Sequence, residues 1–315
     1  MRRVGRAALV VVGISVLVFL IFFATPGADP AARLAGRGAS PETLAAVRHE
    51  YGLDRPLPVQ YAVLMRRLFW TRDLPSFVNR GELVVPAVLR AAPVTLWLAG
   101  GAAVIWLSAG LCIGVVGAAW RGRGADALVT GLGLLGVSVP VFWLGEVVNL
   151  ITQSRLRTPW FEWVPPLGLR GADWGIFLAG MVLPWSTLAV LYAGIYGRVL
   201  RGSLIAAYGQ DYVRTARAKG VGETRVLLVH ALRNAVVPVI ALFGLDFGAL
   251  VGGGTLLVEV VFGLHGVGKL TYDGLQDLDL AMVMACVLYA AVFVVVANAL
   301  VDLLQAALDP RVRSS

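Results

Sequence analysis

The sequence predicts an all-α protein that crosses a membrane several times. Three observations support this prediction: the composition, six long apolar runs, and the placement of the basic residues. Of the 315 residues, 58% are hydrophobic and only 15% are charged, a balance typical of a polytopic helical bundle and unusual for a soluble domain. A helix needs roughly 20 apolar residues to cross about 30 Å of hydrocarbon, and six runs approach or exceed that length.

The six runs define the predicted spans. They cover Ala7 to Ala24, Thr95 to Trp120, Ala127 to Ile151, Gly175 to Tyr196, Ala235 to Leu257 and Ala281 to Leu304. Prolines such as Pro140 and Pro184 do not argue against helices, because membrane helices tolerate proline and use small residues for close packing. The chain is therefore divided into an N-terminal anchor (1–25), a long connection (26–94), a five-helix core (95–308) and a short tail (309–315).

The first run has two interpretations. Three arginines precede it, as they do in a cleavable signal peptide, but its length of about 18 residues exceeds the usual apolar stretch of roughly 7 to 15, and Pro26 is a poor neighbour for a cleavage site. We interpret it as a retained transmembrane helix.

The connection 26–94 contains one helix with clear signals. Ser40 is a good N-cap residue, Pro41 suits the first turn, and a helix is expected to end near Tyr51 and Gly52.

The formal net charge of +8 is explained by topology. Arginines cluster before the first span, between the second and third, between the fourth and fifth, and after the sixth, whereas the connection from Val258 to Leu280 is net acidic. Because basic residues prefer short cytoplasmic segments, the chain is expected to start and finish in the cytoplasm. A nucleic-acid partner is not expected.

The stretch from Asp211 to Pro238 is a polar, basic island inside the predicted cytoplasmic loop 198–234. It reads DYVRTARAKGVGETRVLLVHALRNAVVP. Glycine at position 220 interrupts a helical pattern and tolerates the backbone angles at which one helix ends and another begins. We expect a projecting helix-loop-helix, with a helix from Tyr208 to Gly222.

This island resembles the cytoplasmic loop of binding-protein-dependent ABC import permeases. The general motif of that loop begins with Glu-Ala-Ala, continues to a glycine and ends in Ile-x-Leu-Pro. In this chain Arg214-Thr215-Ala216 lies at the first triplet, Gly220 at the glycine, and His230 to Arg233 at the end. The Glu and the Pro of the motif are therefore absent. The wording YVRTARAKG and HALRNAVVP is closer to the peptide and nickel branch. The resemblance extends to GLDRPLPVQY in the long connection and to LVDLLQAALDPRVR near the C-terminus, and so covers nearly the whole chain.

The resemblance implies a type I importer fold in a bacterial cytoplasmic membrane. It also implies three kinds of partner besides lipid: a second homologous permease, two cytoplasmic ATP-binding subunits and an extracytoplasmic substrate-binding protein. The residues expected to couple this chain to the ATPases are Tyr212, Arg214, Thr215, Ala216, Arg217, Ala218, Lys219, Gly220 and Glu223.

Several motifs are absent from the sequence. It has no phosphate-binding Gly-x-x-x-x-Gly-Lys-Ser/Thr loop, so we expect ATP and magnesium to bind the partner subunits. The histidines His49, His230 and His265 fall in different segments, and Cys112 and Cys286 both lie in predicted spans. We therefore expect no catalytic residue, no metal site and no cofactor in this chain, which is not itself an enzyme.

Polar residues within the spans are candidates for the translocation path. An ionised carboxylate at the membrane centre costs about 2.5–3.5 kcal/mol on insertion scales, so it tends to face a cavity or a partner. The candidates are Asp246, Glu146, Asn149 and Asn298. Hydrogen bonding between helices is the alternative role for all four.

The sequence therefore predicts the permease subunit of an ATP-driven importer of di- or oligopeptides. A nickel or nickel-chelate importer is the nearest alternative. An ion-coupled secondary transporter is an alternative of another class, but it would typically show repeated spans with intramembrane charge pairs, and neither is found in the sequence.

Overall fold

The computed structural model describes residues 2–24, 31, 39–79, 81–122, 124, 131, 133, 138–153, 159–168 and 173–308. Regular structure in these residues is helical, apart from an isolated β-bridge between Pro75 and Leu83. The α-helices are α1 Arg2–Phe19, α2 Pro41–Glu50, α3 Leu57–Met65, α4 Val84–Ala119, α5 Val141–Gln153, α6 Trp174–Tyr208, α7 Asp211–Ala218, α8 Glu223–Arg225, α9 Leu232–Ala235, α10 Val237–Ala249, α11 Leu256–Val261, α12 Val267–Gln276 and α13 Leu280–Leu308.

Four of the described helices have π-helical continuations or connections. They are Leu20–Ala24 after α1, Arg66–Thr71 after α3, Val226–Ala231 between α8 and α9, and Leu250–Gly254 after α10. The last of these contains Gly253 at φ 132 and ψ −8, outside the helical region. Glycine adopts such angles without steric penalty, so the helical path breaks here.

Within the described residues, four helices are long and apolar enough to cross a membrane. They are Val84–Ala119, Trp174–Tyr208, Val237–Gly254 and Leu280–Leu300. The helix at the predicted first span has a shorter apolar part, Ala8–Phe23. The predicted third span, 127–151, lies partly outside the described residues, which within it are 131, 133 and 138–151. An all-helical fold with several apolar helices is thus confirmed, while six crossings remain a prediction.

The helix bounds correct the sequence prediction in two places. Helix α6 continues twelve residues beyond the predicted end of the span at Tyr196, as far as Tyr208, and neither Gly197 nor Gly202 ends it. The predicted span 235–257 is divided by the break at Gly253. The predicted helix α2 is confirmed: Ser40 accepts a hydrogen bond from the Thr43 amide at 3.2 Å, and α2 runs from Pro41 to Glu50.

The chain divides into two compact units. The first unit comprises Met1–Thr95, Val251–Leu256 and His265–Val295. Its core is built from side chains of α1, α3 with its π-helical continuation, the start of α4, and the first part of α13, for example Phe19, Leu68, Val88 and Met284, each at most 2% exposed. Two stretches of chain that are far apart in the sequence, 18–92 and 267–288, therefore contribute to one hydrophobic core.

The second unit comprises Leu96–Leu250, Leu257–Leu264 and Val296–Ser315. Within it, α4 and α6 pack closely through glycines. A Cβ atom built on Gly101, Gly110 or Gly114 would lie within 2.7 Å of atoms of Trp185, Tyr196 or Leu200, respectively. Small residues at such contacts let membrane helices approach each other, and they fix the position of Tyr196, which belongs to the site described below.

Candidate functional site

The polar loop of the second unit folds as a short amphipathic helix followed by a tight turn. Helix α7 begins after Gln210 and ends at Ala218. Val213 and Ala216 are buried and form a small apolar cluster with Val226. The polar side chains of α7 point the other way, into solvent. The predicted helix 208–222 is therefore shorter than expected, because α6 ends at Tyr208 and a turn occupies 219–222.

The turn is a Schellman motif centred on Gly220. The Val221 amide donates to the Ala216 carbonyl at 3.2 Å, and the Gly220 amide donates to the Arg217 carbonyl at 2.9 Å. These two bonds satisfy carbonyls that the helix end would leave without partners, and the motif needs a left-handed residue. Gly220 has φ +75, so a glycine is required here on backbone grounds.

An ion pair closes the turn. Arg217 donates from Nε and an Nη to the two carboxylate oxygens of Glu223, at 2.7 and 3.0 Å. Its guanidinium also lies 5.3 Å from the centre of the Tyr208 ring. The hydrogen bonds from Arg217 hold the pKa of the Glu223 carboxyl below its usual value. Arg217 thus links the end of α6, the end of α7 and the start of α8.

The predicted coupling residues lie together on α7, in the turn, and at the first residue of α8. All are exposed except Ala216, which is buried under the helix and cannot contact a partner directly. Sequence reasoning missed two neighbours: Leu228 and Val229 are 50% and 53% exposed. A pair of apolar side chains in a basic loop is a signal that could have been noticed, since such residues favour a protein contact.

Asp246 lies in α10 beside an aromatic cluster. Its Oδ2 accepts a hydrogen bond from the Tyr196 hydroxyl at 2.9 Å. The Tyr196 ring is next to Trp106, whose ring also lies 4.8 Å from Tyr192 and 6.1 Å from Phe243. The Asp246 side chain is half-buried. Its described environment provides one donor, and a carboxylate can accept several hydrogen bonds.

The other path candidates occupy different surroundings. Asn149 is buried and donates from Nδ2 to the Val261 carbonyl at 2.8 Å, while its Oδ1 has no hydrogen-bond partner in the described part of the chain. Glu146, one turn earlier in α5, is exposed. Asn298 lies against Gly248, where an added Cβ would approach its Oδ1 to 2.9 Å. Among described residues, no hydrogen bond joins any two of the four candidates.

A buried polar junction in the first unit was not predicted as a site. Asp279 is 2% exposed. It accepts hydrogen bonds from the Ser76 hydroxyl, from the Phe77 amide at 3.1 Å and from the Met282 amide at 3.1 Å. The last of these bonds caps the N-terminus of α13. An aspartate directly before a long apolar run is an N-cap signal, whereas its long-range partners leave no trace in the sequence.

Apolar helices of membrane-crossing length, connected by an exposed basic helix and turn, are the features of a multi-pass membrane permease. Comparison with known proteins gives the family. The chain belongs to the binding-protein-dependent transport system inner membrane components: the family model matches residues 110–314, and the model of the N-terminal part matches residues 1–99. It is thus an inner-membrane component of a transport system.

Individual relatives match over nearly their whole length. A Brucella abortus (strain 2308) protein described as a peptide transport system permease is 38% identical over 99% of this chain and 98% of its own. A similarly described protein of Brucella melitensis has the same identity and coverage. The glutathione transport system permease protein GsiC of Salmonella typhimurium (strain LT2) is 37% identical over 95% of this chain and 94% of its own. Membership in this family favours the importer over the ion-coupled secondary transporter.

Proposed function

We propose that this chain is one of two homologous permease subunits of an ATP-driven importer of di- and oligopeptides. Two cytoplasmic subunits would bind ATP and magnesium, and a substrate-binding protein would deliver the peptide from outside. The chain would cross the membrane six times, with both termini in the cytoplasm. ATP-driven closure of the ATPase subunits would displace α7, and the spans would switch between outward-open and inward-open states. Such a switch requires ligands that bind the two states differently.

Coupling to the ATPase subunits is supported most directly by the structure of the loop, which is both exposed and held in place by its own contacts. Helix α7 is held against Val226 by its apolar face, its end is closed by the Gly220 turn, and Arg217 joins it to Glu223. Solvent-facing residues such as Tyr212 and Lys219, with Leu228 and Val229 nearby, provide a mixed polar and apolar surface for a partner. A rigid element transmits displacement better than a mobile loop does.

Substitution of Gly220 tests this coupling. Neither Gly220 nor Gly222 has atoms within 4 Å of an added Cβ, but Gly220 has φ +75, whereas Gly222 has φ −62 and ψ 147. Valine is strained at the first position and favoured at the second. We expect Gly220→Val to retain assembly with the ATPases but to lose most substrate-stimulated ATP hydrolysis. Gly222→Val is the matched control and should keep it. Equal coupling in both variants would show that the turn geometry is not required.

The substrate class is tested by uptake. The relatives described as peptide and glutathione permeases support a peptide substrate, and the alternative within the same branch is nickel. A strain lacking this gene should resist a toxic di- or tripeptide while its nickel-dependent enzymes stay active. Restoring the gene should restore sensitivity. Unchanged sensitivity together with nickel deficiency would assign the importer to nickel instead.

The six-span topology is tested by labelling. In a background without Cys112 and Cys286, a cysteine at Gly222 should react with an impermeant thiol reagent only from the cytoplasmic side. A cysteine at Asp277 should react only from outside. The opposite labelling pattern would contradict the proposed orientation without affecting the substrate test.

A further inference from the structure

The π-helical segment Arg66–Thr71 carries an unusual exposed face in the first unit. Leu64 and Leu68 point into the core, whereas Val59, Ala62, Arg66 and Trp70 are exposed. These four follow one another at intervals of three or four residues, so they share one side of the helix. Trp70 is 83% exposed. The exposed face is thus apolar and basic, not simply polar.

An aromatic contact sets the level of this segment along α13. The Phe69 ring lies 5.9 Å from the Tyr289 ring with an interplanar angle of 28°. Helix α13 has 29 residues, which makes it about 43 Å long, whereas the hydrocarbon layer is about 30 Å thick. The side chains of its first turns, such as Ala281 and Leu288, are buried in the core of the first unit, so these turns can lie outside the hydrocarbon, with the span beginning nearer Tyr289 than the predicted Ala281. Tyrosine and tryptophan are enriched at this boundary.

The charge around Trp70 is basic. Arg66, Arg67 and Arg72 lie within seven residues, and no ion pair to any of them is found in the described part of the chain. Asp73, two residues after the segment, accepts a hydrogen bond from the Thr71 hydroxyl and lies close enough to Arg66 and Arg67 to offset part of their charge. A guanidinium group pairs with phosphate oxygens in a bidentate geometry.

Arg72 adds a conformational observation. It ends the π-helix at φ 57 and ψ 29, in the left-handed region. Glycine or asparagine suits this region better than a long side chain does, and such outliers justify looking for a role of the side chain. The arginine occupies a position where the backbone alone would favour glycine.

We propose that the surface formed by Arg66, Trp70 and Arg72 binds the headgroups of anionic phospholipids, with Trp70 inserted at the membrane boundary. A lipid surface fits these observations better than a soluble protein does. The exposed apolar residues share one helix side with Arg66, Phe69 ties the segment to α13 at the level of Tyr289, and lipid phosphates complement the charge. The attraction expected from each arginine near an anionic lipid surface corresponds to about a fivefold change in affinity.

The test uses the purified full-length chain in detergent. The midpoint of thermal unfolding is measured with added phosphatidylglycerol, phosphatidylcholine or inorganic phosphate. Phosphatidylglycerol should raise the midpoint, and the other two should not. Arg66→Gln and Arg72→Gly should each weaken the response to phosphatidylglycerol about fivefold in half-saturating concentration. Arg72→Gly relieves the left-handed strain, so its midpoint without lipid should equal or exceed that of the wild type. Misfolding would therefore not explain its loss of response.

The matched control is Arg55→Gln, which removes an exposed arginine of the same unit outside this surface. It should respond as the wild type does. Equal responses of Arg55→Gln, Arg66→Gln and Arg72→Gly would overturn the proposal, and so would an equal effect of inorganic phosphate, which would indicate a site for a free anion.

A second measurement addresses Trp70 directly. In vesicles that contain brominated phosphatidylglycerol, fluorescence quenching is compared between the wild type and Trp70→Phe, because the chain has nine tryptophans and Trp70 is isolated only by difference. The wild type should show the larger quenching. If a photoreactive residue at position 70 instead links to the substrate-binding protein, and the quenching is equal, the surface docks that protein and the lipid proposal is wrong.

Discussion

Asp279 in the first unit and Asp246 in the second differ in how fully the protein satisfies their carboxylates. Asp279 is almost inaccessible and accepts hydrogen bonds from a hydroxyl and two backbone amides. Asp246 is half-buried and accepts one, from Tyr196. A buried carboxylate with both oxygens hydrogen-bonded inside the protein is part of the scaffold, whereas a partly exposed one with a free oxygen can meet a ligand. Asp279 and Asp246 thus differ both in burial and in the number of hydrogen bonds that their carboxylates accept.

Replacement of Asp279 should have the largest effect on stability. Asp279→Ala removes the N-cap of α13 and leaves the Phe77 amide and the Ser76 hydroxyl without their partner, at a combined cost of about 2 to 4 kcal/mol. We expect a clearly lower midpoint of thermal unfolding. Asp279→Asn retains one acceptor oxygen, so its midpoint should fall less than that of Asp279→Ala.

The control for this prediction is Asp277→Ala, which removes the same charge two residues earlier from an exposed position. Its midpoint should be close to that of the wild type. If Asp277→Ala and Asp279→Ala are equally destabilised, net charge rather than the capping network is responsible, and the contrast with Asp246 disappears.

Replacement of Asp246 should affect transport more than stability. Asparagine can still accept the Tyr196 hydrogen bond, so the unfolding midpoint of Asp246→Asn should change little. A charge-assisted hydrogen bond to a cationic peptide is worth about 1.5 kcal/mol, so uptake of cationic peptides should fall about tenfold relative to neutral ones.

The variant Tyr196→Phe separates the two roles of Asp246, because it removes the hydroxyl that donates to the carboxylate and leaves the charge. Competition between cationic and neutral peptides measures the selectivity of both variants. If Asp246→Asn lowers uptake of all peptides equally, together with stability, then Asp246 is structural and resembles Asp279.

Glu223 extends the comparison to an exposed carboxylate. Replacing it should change the midpoint of thermal unfolding least of the three. Arg217 lowers the pKa of Glu223 in the folded state, so the ion pair contributes stability above the ordinary pKa of glutamate. This contribution is lost as the pH falls through the lowered value. The difference in unfolding midpoint between the wild type and Glu223→Gln should therefore be slight at neutral pH and vanish in acid. A difference that grows in acid would contradict the assignment.

The sequence predicted local features of the fold better than long-range ones. The helix after Ser40 and the exposed basic loop with its glycine turn depend on residues a few positions apart, and the structure contains both. The bonds of Asp279 to Ser76 and Phe77, and of Asn149 to Val261, join residues more than 100 positions apart. No periodicity or capping signal in one sequence specifies which distant partner a polar side chain will meet.

In the candidate site, too, local features were predicted from the sequence and long-range contacts were not. The family resemblance indicated loop residues that the structure places at the surface, with Ala216 as the exception, since its burial depends on Val226 ten residues later. The hydrophobic pattern also underestimated α6 and failed to indicate the π-helical stretches. The length of an apolar run predicts how much of a helix can lie in lipid. It does not predict the residue at which the helix ends.

The separation of 203 residues between Ser76 and Asp279 has a consequence for biosynthesis. The first unit is assembled from three stretches of the chain, so its N-terminal portion is synthesised long before the residues that complete its core and accept its polar groups. Until α13 leaves the ribosome, the Ser76 hydroxyl and the Phe77 amide lack the carboxylate that accepts their hydrogen bonds. The apolar side chains around Leu68 likewise lack the part of their core that α13 supplies. Contacts between distant residues form late, and the exposed intermediate is open to aggregation and to proteolysis. Premature termination before Asp279 therefore leaves a chain that cannot complete either its last helix or its first unit.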